Sequence, residues 1–206
     1  MAWLVLLFFG TAALYASVGF GGGSTYIALL ALTDVDYRML PVVALLCNII
    51  VVSGGTWRFH QRGLIAWDKI WPILLLSVPA AWLGGRMAID QNLFLSLLGL
   101  SLLSAALLLL IEPLIRRSAQ SSQVSIAENF WFAPTIGAAI GFVSGMVGIG
   151  GGIFLAPILL LTKWDDSRRI AATASLFILV NSLAGLIGQM MKSGMCLISE
   201  ALSTLP

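Results

Sequence analysis

The stretch GMVGIGGGIFLAP, residues 145 to 157, lies near the middle of an apolar run that extends from Phe130 to Leu161. As one straight helix that run would reach about 48 Å, against a hydrocarbon core of about 30 Å. Glycine in a helix interior costs ~1 kcal/mol relative to alanine, so three successive glycines after Gly148 and Ile149 mark a weak point. The run reads as two half-helices joined at the glycines, either a discontinuous span or a hairpin that enters and leaves on one side. A related stretch, YASVGFGGGSTYIALL from Tyr15 to Leu30, sits inside a second overlong run, residues 3 to 33. Any fold of this chain must accommodate both breaks.

The solvent for those breaks is lipid. Of 206 residues, 59% are hydrophobic and only 10% charged, with a mean hydropathy of +1.00. Soluble domains average about 25% charged residues, so the expected fold is an all-α integral membrane protein, a polytopic helical bundle. Further apolar runs cover residues 41 to 57, 70 to 88, 93 to 111 and 170 to 190. The N-terminal MAWLVLLFFGTAALYASVGF has no basic n-region and continues into more apolar sequence, so it reads as a retained segment. Cys47 and Cys196 form no metal or redox spacing, and no cofactor is expected. A net charge of +2 gives no case for binding nucleic acid.

The longest polar stretch, RRSAQSSQVSIAEN, reads as a cytoplasmic linker over residues 116 to 129. It separates a first transmembrane repeat, residues 1 to 115, from a second and incomplete one, residues 130 to 206. RFHQRGLIAWDK carries Arg58, Arg62 and Lys69, and the linker opens with Arg116 and Arg117, so both should be cytoplasmic. TKWDDSRR adds Lys163, Arg168 and Arg169. With that break inside as well, the segment 130 to 161 begins and ends on one side, which predicts a hairpin. Counting back across 41 to 57 places TDVDYR, residues 33 to 38, outside, so the two glycine-rich segments take opposite orientations. The expectation is two inverted repeats, each opening with a broken or re-entrant glycine-rich helix, with substrate at the non-helical backbone between them.

Aligning GFGGG with GIGGG brings Thr33 onto Thr162; a slip of two residues then brings Gly54 onto Gly185 and Ala44 onto Ser175. The halves differ in length. After Gln189 only MMKSGMCLISEALSTLP remains, where the first half has two further spans. Either the chain is a shortened member of its family, or a homo-oligomer or partner subunit supplies the missing spans.

GFGGG and GIGGGIFLAP, with RFHQRGLIAWDKIWP in the first half and ATASLFILVNSLAGLIG in the second, resemble the sulfite exporter TauE/SafE family of bacterial membrane transporters, over roughly residues 5 to 190. The resemblance implies a multi-pass inner-membrane transporter moving small sulfur-containing or organic anions such as sulfite, sulfoacetate or sulfonates. It carries the family's motif onto Gly19, Gly21, Gly22 and Gly23, and onto Gly148, Gly150, Gly151, Gly152 and Pro157. Ala28 departs from it, because the first half lacks the proline that the second has.

Backbone amides at the start of a half-helix carry the positive end of its dipole and suit an anion without any side chain. Successive glycines also permit concave amide nests. Ser24 and Thr25 follow the first cluster and can add hydroxyl donors, or back-bond to the helix. Asn48 and Asn181 lie within spans, where each lines the pathway or links helices. Ser175, Thr173 and Ser53 are weaker candidates of the same kind, and Gln189 is expected near the interface. The competing reading of both glycine clusters is close helix packing through small-xxx-small spacing. All nine acidic residues fall at segment ends, in the linker or in the tail, so no carboxylate relay is expected at membrane depth. No catalytic pair or metal spacing occurs at that depth either, so an enzyme is not expected. The alternative to a transporter is a non-transporting or partner-dependent membrane subunit.

Overall fold

The computed structural model describes residues 2–18, 20–33, 35–118 and 132–203. The described residues form eight helices and no strand: α1 (Ala2–Val18), α2 (Gly23–Ala31), α3 (Leu40–Gln61), α4 (Trp67–Arg86), α5 (Gln91–Ser118), α6 (Phe132–Val147), α7 (Gly152–Leu161) and α8 (Ser167–Ser203). Each overlong apolar run is split at its glycines, into α1 with α2 and α6 with α7. Residues Leu40–Gln61, Gln91–Ile111 and Ser167–Lys192 are long and apolar enough to cross a membrane, whereas the halves of the split runs are shorter.

Contacts between connections define the two ends of the bundle. Lys69, in the first turn of α4, donates from Nζ to Asp165 Oδ2 at 2.8 Å and to the Trp164 carbonyl at 3.3 Å. The α3–α4 and α7–α8 connections therefore share one end. The Lys69 hydrogen bond there, helped by the nearby Arg169, holds the Asp165 carboxyl below the usual carboxylate range. At the other end, Tyr37 of the α2–α3 connection lies against Phe94 near the start of α5, with ring centroids 6.1 Å apart.

Helices α4 and α6 run parallel, with Gly137 against Ile73, Gly141 against Ser77 and Gly145 against Ala81. A Cβ on Gly141 would stand 2.5 Å from the Ser77 carbonyl oxygen, and one on Gly145 would overlap the Ala81 carbonyl. Small residues here let two backbones touch, which supplies the dispersion contact that drives helix association in lipid. Because α6 begins beside the start of α4, it begins at the Lys69 end. Helix α7 finishes at that same end, just before Trp164. The run 132 to 161 is thus a hairpin, as the charge pattern predicts, and a Cβ on Gly151 would lie 2.9 Å from Ile140 Cγ2 of α6.

The first break also reverses the chain. Phe8 of α1 stacks on Tyr26 of α2 at 5.0 Å, and the Tyr15 and Thr25 hydroxyls are 3.1 Å apart. Helix α2 leads to Tyr37, so this hairpin has its open end away from Lys69. Between the hairpins α3 and α8 cross antiparallel, with Thr56 and Ser175 hydroxyls 2.9 Å apart and Leu45 packed against Gly185.

Three boundaries differ from the sequence expectation. Helix α3 runs to Gln61, so Arg58 and His60 occupy its last turn rather than a loop, where the Arg58 charge complements the carbonyl end of the dipole. Helix α5 continues through Arg116 and Arg117 to Ser118, and the rest of the proposed linker, 119–129, lies outside the described residues. Helix α8 continues through the tail to Ser203, since no proline interrupts it. Gly19 and Asp34 also lie outside the described residues.

Candidate functional site

The two breaks use glycine for different reasons. In the second, Gly148, Gly150 and Gly151 have φ of +89°, +86° and +77°. L side chains rarely adopt that left-handed region, so these positions need glycine for conformation. In the first, Gly22 has φ −89°, an ordinary value. There glycine is needed for room.

That room is taken by Asn48, fully buried near the middle of α3. Its Nδ2 donates to the Ile149 carbonyl in the second break at 3.2 Å. A Cβ on Gly21 would lie 2.5 Å from Asn48 Oδ1, and one on Gly23 would lie 2.6 Å from the Ile149 carbonyl oxygen. From the other side, a Cβ on Gly150 would lie 2.7 Å from Asn48 Nδ2, 3.0 Å from Ile178 Cγ2 and 3.2 Å from Ser182 Oγ. Ile178 of α8 also sits 3.1 Å from the corresponding point on Gly21, and it packs against Gly152. Both breaks therefore meet at mid-height of the bundle, with Asn48 facing them from α3 and Ile178 and Ser182 from α8.

Several polar atoms around this meeting point have no protein partner. They are Asn48 Oδ1, Ser182 Oγ and Ser144 Oγ, the last on α6 one turn before the second break. Asn181 Oδ1, Thr173 Oγ1 and Tyr26 Oη share that condition. A buried polar group left unpaired costs roughly 1–3 kcal/mol in protein, and more in hydrocarbon, where no water can replace the lost bond. Three of these atoms, on Asn48, Ser144 and Ser182, lie beside the two breaks.

The residues predicted from sequence distribute unevenly about this point. Gly21, Gly23, Asn48, Gly150 and Gly152 meet there, and Gly151 lies beside it, next to Ser144. Gly22 packs against Thr11 and Tyr26, and Gly148 against Pro41, where a Cβ would stand 2.5 Å from the proline Cα. Ser24 is buried, while the Thr25 hydroxyl is engaged with Tyr15 and ties α2 to α1. Ser175 is paired with Thr56, which makes it a link between α3 and α8. Asn181 donates Nδ2 to the Phe177 carbonyl at 3.0 Å and keeps Oδ1 unpaired. Pro157 is buried inside α7, well beyond the break. Ser53 is exposed and back-bonded to Ile50.

Gln189, expected near the interface, has its side chain turned into the protein. It is buried and donates Nε2 to the Gly145 carbonyl at 3.2 Å and the Met146 carbonyl at 3.4 Å. Those carbonyls end α6 and have no intrahelical donor, so Gln189 completes the C-terminus that the glycine break leaves open. Ser144 and Ser182 were missed in the sequence because single serines in apolar helices are common. The available signal was position, Ser144 four residues before Gly148 and Ser182 beside Asn181.

Known proteins resemble this chain over most of its length. A probable membrane transporter protein of Sinorhizobium fredii is 37% identical over 185 residues, covering 90% of this chain and 74% of the relative. A probable membrane transporter protein of Methanocaldococcus jannaschii is 26% identical over 196 residues, covering 89% of this chain and 70% of the relative. A third, from Haemophilus influenzae, is 29% identical, covering 76% and 61% respectively. No solved structure matches. The profile of the sulfite exporter TauE/SafE family matches residues 4–205, nearly the whole chain, and the chain belongs to that family of membrane transporters.

Proposed function

We propose that the meeting point of the two glycine breaks is the substrate site, and that the transported species is a small sulfur-containing or organic anion such as sulfite, sulfoacetate or a sulfonate. The observation that carries this reading is the set of buried, unpaired polar atoms of Asn48, Ser144 and Ser182 beside both breaks. The serine hydroxyls can donate to a sulfonyl oxygen, and the first-turn amides of α2 and α7 add the positive ends of two helix dipoles. No side-chain charge is required there.

The arrangement also suggests how transport proceeds. Asn48 fills the space between the breaks so closely that even a methyl group on Gly21 or Gly150 would collide with it. A sulfite ion is larger than a methyl group, so the site is closed in this conformation and the hairpins must part to admit it. We read the halves as inverted repeats that rock against each other, supported by hairpins that open toward opposite ends of the bundle and meet at equivalent glycines. The Lys69 end carries Arg58, Arg62, Lys163, Arg168 and Arg169, which favours the cytoplasmic side of a bacterial inner membrane.

Radiolabelled sulfite flux in proteoliposomes tests the reading. The purified chain should move sulfite at a saturable rate that sulfoacetate inhibits. Flux no faster than in protein-free vesicles, restored only on adding a second membrane protein, would favour a partner-dependent subunit instead.

A further inference from the structure

At the Lys69 end a cleft of about 680 Å³ opens between the end of α1, the α3–α4 connection and the start of α8. Its walls include Arg62 and Arg168, the hydroxyl-bearing Ser17 and Ser167, and the aromatic face of Phe59. None of these residues belongs to the site at the glycine breaks. We propose that this cleft is a second binding site, a vestibule that holds a small oxyanion such as a sulfonate before it passes to the breaks. The proposal rests on the anion reading above and adds to it where the anion is first captured.

Three features support an anion here. The first is unspent positive charge: neither Arg62 nor Arg168 makes an ion pair or side-chain hydrogen bond among the described residues. The neighbouring Asp165 does not cancel them, because Lys69 and Arg169 already engage it, and Asp166 and Asp68 are exposed outside the cleft wall. The second is the start of α8. Its backbone begins at Ser167 and its first turn lines the cleft, so amides without intrahelical acceptors and the positive dipole end lie beside the two guanidinium groups. Arginine presents a planar fork of donors that matches two oxygens of a sulfonate, which a lysine does not.

The third feature is continuity with the breaks. Ser17 lies four residues before Gly21, and so within about 14 Å of it along even a fully extended chain. Arg168 stands on the same helix as Ser182, about 21 Å away at 1.5 Å per residue. The two arginines come from different halves of the chain, so a parting of the halves changes their separation and with it the grip on the anion. A cleft lined by one sign of charge also concentrates counter-ions at its mouth.

The test uses the full chain in detergent with Cys47 and Cys196 replaced by serine and a fluorophore attached at Ala171→Cys, which lines the cleft. Quenching by iodide is compared with quenching by neutral acrylamide. The double variant Arg62→Gln with Arg168→Gln should lower the iodide quenching constant at least about threefold at low salt while leaving the acrylamide constant unchanged. Sulfoacetate should protect the fluorophore from iodide in the parent and not in the double variant. An iodide constant unaffected by the substitutions, or quenching that sulfoacetate does not relieve, would overturn the proposal. Quenching needs no transport, so a chain that binds sulfoacetate in the cleft but moves no sulfite would sink the transport reading and the vestibule role with it, and leave the cleft standing as an anion-binding site.

Discussion

Replacing Gly150 by valine should abolish the proposed sulfite flux, to below about one-hundredth of the parent rate, while leaving the helical content of the purified protein intact. Two separate penalties act at this position. A side chain at φ +86° is strained by about 1–2 kcal/mol, and its Cβ would lie 2.7 Å from Asn48 Nδ2 and 3.0 Å from Ile178. Both penalties fall on the junction between the breaks, which is the proposed substrate site, and neither touches the α4–α6 contact. Flux assays beside circular dichroism check this, and a folded variant transporting at the parent rate would show that the junction is only packing.

The second large effect is on assembly. Gly145→Leu should lower the thermal unfolding temperature in detergent by roughly 6–12 °C, from about 3 kcal/mol of overpacking. The reason is the Ala81 carbonyl, which already occupies the position of a Cβ, so leucine must push α6 off α4. Gly54→Leu is the control, because nothing lies within 4 Å of a Cβ there. An equal loss at both positions would mean that glycine acts through helix propensity rather than through backbone contact.

Gly54 and Gly185 also show where sequence comparison stops. They align in the internal repeat, yet one faces open space and the other packs on Gly145 and Leu45. Equivalence in an alignment records common position, whereas packing depends on which neighbours each half has. The hairpin at 132 to 161 was legible, because an apolar run too long for one span and a basic break at its end leave few alternatives. The convergence of both breaks on Asn48 was not legible. Nothing in a single sequence ties Asn48 to Ile149, 101 positions further on. The bonds from Gln189 to the α6 carbonyls were not legible for a related reason, because nothing in the sequence brings it to Gly145 and Met146, more than forty positions earlier.

The two readings of the glycine clusters, substrate site and close packing, divide between positions. Gly137, Gly141 and Gly145 are packing glycines, since their neighbours are helix backbone and apolar side chains. Gly21, Gly23 and Gly150 face Asn48, whose Oδ1 has no partner, and Gly150 also faces the unpaired Ser182 hydroxyl. Asn48 has a structural task as well, since its Nδ2 satisfies the Ile149 carbonyl in the second break, but that bond leaves its Oδ1 with no partner among the described residues.

Chemical labelling at the junction tests the central claim most directly. In a chain lacking Cys47 and Cys196, Ser182→Cys is treated with N-ethylmaleimide in proteoliposomes, with and without sulfoacetate, which unlike sulfite does not consume the reagent. The account predicts labelling in the absence of ligand, because the hairpins part to admit water, and labelling at least about tenfold slower with saturating sulfoacetate. A cysteine that is never labelled, or one labelled at the same rate with sulfoacetate present, would contradict it.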